Sequence, residues 1–107
     1  MPTTYKILGQ QVPSTTGAVL YTAPVAGSAV ISTIVVANIA SANKTFRVLV
    51  RSGSSYGNQN YLAYDTIVPA NDSIIMTLGI TISGSCQLVV SGSDANVSFN
   101  AFGSEIT

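Results

Sequence analysis

The chain has 107 residues, with four Lys or Arg, four Asp or Glu, no His and one Cys, and its formal net charge is zero. Charged residues make up 7% of it, against about 25% in an ordinary globular domain, and Ser, Thr and Asn stand where the charge would have been. Without His it cannot build a Ser-His-Asp triad, a Cys-His dyad or a His-ligated zinc site within the chain, a single Cys excludes an internal disulfide or Cys-cluster metal site, and four scattered cations do not make the basic footprint of a nucleic-acid binder.

An apolar fraction of 47% with no net charge is the composition of a folded chain, not a disordered one. No segment carries a sustained helical period, and short strand patterns bounded by turn residues recur from end to end. Residues 5–8 are a first short strand, followed by a polar connection over 9–17 that contains Pro13. Residues 1–16 are therefore expected to form a strand and an extended arm ahead of a sandwich domain over 17–107, the two together making one domain. The next strand covers 18–22 and is closed by Pro24 and Gly27. Residues 28–39 are a β-branched run including Val30, Ile31, Ile34, Val35 and Val36, whose stiff side chains suit a pleated surface. Both faces of that run are apolar, which predicts a central strand covered on both sides.

Residues 44–51 alternate, with Phe46, Val48 and Val50 on one face and Thr45, Arg47, Leu49 and Arg51 on the other, as in a half-buried strand. Residues 52–60 form a long polar loop. A strand over 61–68 ends at the turn Pro69-Ala70-Asn71-Asp72. The strand from Ser73 is expected to break or bulge at Gly79 before Ile80-Thr81-Ile82, and two last strands follow over 86–90 and 96–102. This spacing predicts an all-β fold, a single antiparallel sandwich of about eight strands that is jelly-roll-like. Turn spacing does not reveal strand order.

The N-terminus lacks the charged start and apolar run of a secretory signal, and the most apolar stretch, 29–40, falls short of the ~20 residues that span a bilayer. The chain is expected to be made in a cytoplasm, with no membrane partner. Cys86 reads as a small buried hydrophobe.

The string Gly53-Ser54-Ser55-Tyr56-Gly57 matches a nucleophile-elbow pattern, but that motif needs a strand-turn-helix context and a His base, so it reads as a Gly/Ser loop in which Tyr56 offers a contact surface. Three Asn-x-Ser/Thr sequons, at Asn43, Asn71 and Asn96, are explained by turn chemistry. Of the four carboxylates, Asp72 and Asp94 sit in turns and Glu105 in the tail. Asp65 lies mid-strand and needs a partner, with Arg47 or Arg51 as the candidates. A regular strand would put Tyr61 and Tyr64 on opposite faces, one in the core and one exposed. No catalytic residue, metal ligand or cofactor site is expected. A neutral Ser/Thr/Asn surface favours association and would also suit a carbohydrate-contacting module.

The order Tyr5-Lys6-Ile7-Leu8-Gly9-Gln10, Leu20-Tyr21-Thr22-Ala23-Pro24, Ile31-Ser32-Thr33-Ile34-Val35-Val36, Thr45-Phe46-Arg47-Val48, Tyr61-Leu62-Ala63-Tyr64-Asp65, Pro69-Ala70-Asn71-Asp72-Ser73 and Ser98-Phe99-Asn100-Ala101-Phe102-Gly103 resembles small virion structural proteins of tailed bacteriophages, many from cyanobacterial hosts. The match lies in order and spacing over nearly the whole chain. The resemblance implies a non-enzymatic particle component, located in the virion and made in the host bacterial cytoplasm. Within the family a capsid decoration, or cement, protein is favoured: a homo-oligomer, a trimer by this resemblance, bound to the major capsid protein at the head surface. The alternative is a tail or fibre tip module that touches host carbohydrate. The family offers no motif to carry over, so the interface candidates come from residue chemistry: Tyr5, Lys6 and Gln10 of the N-terminal arm, whose backbone could extend a neighbour's sheet, then Arg47 and Arg51, Tyr56 of the loop, and Tyr61 and Tyr64.

Overall fold

A computed structural model describes residues 3–12, 17–52 and 57–106. Strict side-chain alternation, Pro- and Gly-punctuated turns and β-branched runs give eight strands: β1 (Thr3–Gln11), β2 (Ala18–Thr22), β3 (Ser28–Asn38), β4 (Lys44–Arg51), β5 (Tyr61–Val68), β6 (Ser73–Ser83), β7 (Gln87–Gly92) and β8 (Val97–Ile106). One turn of 3₁₀ helix, Asn58–Asn60, leads into β5. All pairings are antiparallel.

The strands form two four-stranded sheets, ordered β1-β8-β3-β6 and β2-β7-β4-β5. The hairpin β4/β5 is the centre of a nested set in which β3 pairs with β6, β2 with β7 and β1 with β8. This nesting is the jelly-roll topology, and the molecule is a flat two-layer body of 45 × 28 × 18 Å.

The core lies between the sheets. Ile31, Ile34 and Val36 of β3 and Phe99 and Ala101 of β8 meet Phe46 and Val48 of β4 and Leu88 and Val90 of β7, all buried. Phe46 and Phe99 touch edge to face across the layers, with ring centroids 6.0 Å apart, a favoured aromatic geometry. Cys86 is half-buried and packs on this core. At one end the layers are tied by Glu105, which accepts hydrogen bonds from Tyr21 of β2 (2.5 Å) and Lys6 of β1 (2.9 Å).

Several expectations change. The N-terminal segment does not extend from the sandwich over Thr3–Gln11. It is the edge strand of the first sheet, paired with β8, because its alternating side chains give it a core-facing Leu8 to bury. β3 is central, flanked by β8 and β6, but only one face is covered. Val30, Val35 and Ala37 on the other are half-buried and Ser32 is exposed. β6 continues through Gly79 as one strand but bulges there, as the sequence suggests, since Ile80 lies opposite Ile31 and Thr77 opposite Thr33, which leaves Ser32 facing the two residues Leu78 and Gly79. Glu105 is a strand residue opposite Thr4 and Ala29. Gly103 is required where it stands, since a Cβ there would run into the Val30 carbonyl oxygen of the adjacent strand.

Candidate functional site

The second sheet's outer face carries the densest group of candidate side chains. β5 is bulged against β4: Ala63 lies opposite Val48 and Thr66 opposite Phe46, so Arg47 alone faces the two residues Tyr64 and Asp65. Asp65 absorbs the extra residue in a left-handed conformation, φ 51°, one that Asp tolerates better than most side chains. Both Tyr64 and Asp65 consequently point outward, and a second register shift, where Ala63 lies opposite Val48 but Tyr61 opposite Leu49, brings Tyr61 to the same side, so the expected opposition of Tyr61 and Tyr64 is overturned. Their rings stack edge to face on the same surface, 4.8 Å apart at 89°.

Arg47 is held by this arrangement. Its Nε donates to Asp65 Oδ1 at 2.7 Å and its Nη2 to Oδ2 at 3.2 Å, and its guanidinium lies 4.0 Å from the Tyr64 ring centre, a cation–π contact. The Arg47 hydrogen bonds hold the Asp65 carboxyl below the usual carboxylate range, and the Arg47 guanidinium is correspondingly raised. Asp65 is therefore ionised at neutral pH with both oxygens engaged, which suits a contact surface and not proton transfer. Of the two candidate partners, Arg47 is the one that pairs with Asp65.

Open grooves flank the group. One of ≈ 370 Å³ is lined by Asn58, Tyr61 and Tyr64, and one of ≈ 260 Å³ runs past Thr45, Arg47, Asp65 and Ser93. Asn60 shapes the approach: its Oδ1 accepts from the Gly57 N–H at 2.9 Å and its Nδ2 donates to the Val50 carbonyl at 2.6 Å. Arg51 lies farther along the same sheet, donating to Gln87 Oε1 at 2.9 Å.

The remaining candidates lie on the other sheet. Tyr5 is 84% exposed and lines a shallow groove with Ile7, Val30 and Phe102. Lys6 places its ammonium on Glu105, and Gln10 donates to Asn100 Oδ1 at 2.6 Å. Arg47, Tyr61 and Tyr64 are thus brought together, whereas Tyr5, Lys6 and Gln10 belong to a separate surface. Tyr56 lies outside the described residues.

That separate surface has its own character. Thr3, Tyr5, Ile7 and Gln10, then Ser98, Asn100, Phe102 and Ser104, then Val30, Thr33, Val35 and Ala37, and the odd-numbered residues of β6 share the outward register. None is charged. Lys6 and Glu105 fall in the opposite register, opposite Gly103 and Ala29.

Two structural residues carry no sequence signal beyond their type. Asn38 is buried and donates through Nδ2 to the carbonyls of Ala42 (2.9 Å) and Val68 (3.0 Å), while its Oδ1 accepts from the Ala40 N–H at 2.9 Å. Glu105 was legible only as a tail carboxylate. The sequon Asn residues do sit in turn chemistry: Asn43 Oδ1 accepts from the Ala70 N–H, and Asn71 adopts φ 54°.

The same fold occurs in a viral chain. A chain in the structure of infectious bursal disease virus, Gx strain, matches at a TM-score of 0.51 and 13% identity, over 97% of this chain and 30% of that one. This chain thus spans less than a third of the viral chain's length, and the likeness is one of fold. No family model matches the sequence, and no curated protein does. Among the described residues no helix is long and apolar enough to cross a membrane, and no three His, Cys, Asp or Glu gather as a metal site.

Proposed function

We propose that this chain is a non-enzymatic structural component of a virus particle. Within that class it is a capsid decoration protein of a tailed bacteriophage, bound as an oligomer to the outer head surface and stabilising the shell. The observation that carries the reading is the uncharged outer face of β1-β8-β3-β6, set on a jelly-roll sandwich. A broad flat surface of Ser, Thr, Asn and half-buried or exposed apolar side chains costs little to dehydrate, and protein interfaces are depleted in charge at their centres for that reason. The fold's recurrence in a virus structure supports the class, and the resemblance to phage virion proteins supports the location. Many modest contacts repeated over a shell add up to large stabilisation.

Purified protein added to expanded heads of the encoding phage is expected to bind them and raise the temperature at which they rupture. Mass spectrometry of purified particles should count it in numbers comparable to the major capsid protein. Heads that neither bind it nor gain heat resistance would remove the decoration reading. A count of a few to a few tens per particle would favour the second reading, a tail or fibre tip that contacts host carbohydrate. The Tyr61–Tyr64 pair beside the Arg47–Asp65 fork favours it, since aromatic faces and planar charged groups are what a sugar's apolar face and hydroxyls need. A glycan array without a binder would count against that reading.

A further inference from the structure

β5 is eight residues long and shifts register against β4 twice. Among the described residues three that are not glycine have positive φ. Asn71 and Ser85 lie in turns, whereas Asp65 lies inside a strand. Backbone held in a sparsely populated conformation persists only where its surroundings impose it, and it gathers at ligand-contacting sites. Here the distortion sets Tyr61, Tyr64 and Asp65 on one outer face with Arg47.

The two grooves on that face adjoin. Asn58, Tyr61 and Tyr64 line the one of ≈ 370 Å³, and Arg47, Asp65 and Ser93 are among the residues lining the one of ≈ 260 Å³. Tyr64 and Asp65 are consecutive, and Arg47 reaches both, 4.0 Å from the Tyr64 ring centre and 2.7 Å from Asp65 Oδ1. Both grooves lie near the lower end of ligand-pocket sizes, about 300 Å³, and each suits a single sugar ring. The first has aromatic walls and an amide, which match a sugar's C–H face and its hydroxyls. The second is polar. The Arg47–Asp65 fork uses two N–H donors of the guanidinium and two acceptor positions of the carboxylate, which leaves further donors on the one and lone pairs on the other. Ser93 Oγ accepts the Thr45 N–H at 3.1 Å and keeps its own proton to donate. Donors and acceptors side by side are what vicinal hydroxyls require.

Charge narrows the class of sugar. Arg47 is neutralised by Asp65, and Lys44, next to Thr45 in the chain, by Asp94 at 2.6 Å. The described residues lining the grooves therefore offer no uncompensated positive charge to an acidic sugar, and the Asp65 carboxylate repels one. We propose that this face binds a neutral, linear glycan through two adjoining units, one against Tyr61, Tyr64 and Asn58 and the next against Arg47, Asp65 and Ser93. The inference rests on the carbohydrate reading given above and adds to it the class of sugar and the number of units. It also frees that reading from the tail, since the site lies on the sheet opposite the uncharged face, and a chain docked on a head by that face displays it outward.

On a glycan array the full chain is expected to bind at least one neutral oligosaccharide of hexose or N-acetylhexosamine units. The corresponding monosaccharide should bind about tenfold or more weakly, because one groove is then empty. Tyr64→Ala should weaken oligosaccharide binding by about tenfold or more, and Asn58→Ala should act in the same sense. Both residues are exposed, so the circular dichroism spectrum should not change. Tyr5→Ala removes an exposed tyrosine from the opposite sheet and should bind as the parent does, and expanded heads should take up Tyr64→Ala as they take up the parent. Binding of acidic glycans alone, a monosaccharide held as tightly as its oligomer, or Tyr64→Ala and Asn58→Ala chains that bind like the parent would overturn the inference and leave the broader carbohydrate reading standing. Loss of head binding in Tyr64→Ala would put the shell on this face and overturn it too. An array with no binder at all would remove both the inference and the carbohydrate reading.

Discussion

Asn38 ends β3 where the chain turns toward β4, and it sits fully inside. Its amide satisfies backbone carbonyls at Ala42 and Val68 and approaches that of Pro69 at 3.2 Å, while its oxygen takes the Ala40 N–H. Two turns from different parts of the sequence are thus fastened by one side chain. Asn38→Ala leaves those groups without partners, and an orphaned buried polar group costs about 1–3 kcal/mol. Urea unfolding of this variant is expected to show a loss near the top of that range, because several groups are orphaned at once. Glu105 acts through charge. Its hydrogen bond from Tyr21, then that from Lys6, hold its carboxyl below the usual range, and Asp65 and Asp94 are lowered by Arg47 and Lys44 in the same sense. A depressed folded pKa means that the unfolded chain binds more protons in the acid range, so stability rises with pH there and levels off above the unfolded value of about 4. Melting temperatures recorded from pH 2.5 to 7 should climb and then flatten by about pH 5, and Glu105→Gln should shallow the climb. A melting temperature independent of pH across that range would contradict the role given to these pairs.

β5 shows how one backbone angle decides what a strand presents. Strand text over 61–68 is easily read from alternation, and so are its bounds. The bulge at Asp65 is not, since it depends on Arg47 of the neighbouring strand offering a fork that holds the carboxylate outward. A second shift of the same strand, between Tyr61 and Ala63, turns Tyr61 to the side of Tyr64. Asp65→Val puts a β-branched residue at φ 51°, and is expected to cost about 1–2 kcal/mol for the left-handed backbone. Asp65→Gly keeps that backbone accessible and should lose much less, because an exposed ion pair contributes little to stability. Thermal unfolding of the two variants side by side checks this order. If Val and Gly were equally tolerated, the left-handed backbone at position 65 would not be a constraint on this strand. The contrast between β1 and β6 belongs here as well. Both are edges with a register shift, but β1 carries the charge of Lys6, while β6 has no charged residue.

The two layers are held chiefly by what lies between them, and a jelly roll has no local piece that could persist when that contact is lost. Phe99 of β8 faces Phe46 of β4 across the interface, and both are almost completely buried. Phe99→Ala is expected to cost about 3–5 kcal/mol, a large share of the roughly 5–15 kcal/mol that holds a domain folded. The loss should appear as one cooperative transition at lower denaturant, not as separate melting of the two sheets. A biphasic transition would contradict that coupling. Strand number, turn positions and the bounds of the middle strands were written locally, in alternation, β-branched runs and the Gly, Pro, Asn and Asp between them. So was the poverty of charge, and with it the exclusion of His-based catalysis. β1 and β8, by contrast, run well past the 5–8 and 96–102 that local pattern gives, because each pairs along the other. The nested strand order, the pairing of β1 along β8, the open second face of β3 and the gathering of Arg47, Tyr61, Tyr64 and Asp65 were settled by contacts between residues far apart in the chain. Alternation tells a strand that it has a buried face, but the strand that will cover or flank it is chosen by the packing of the whole sandwich.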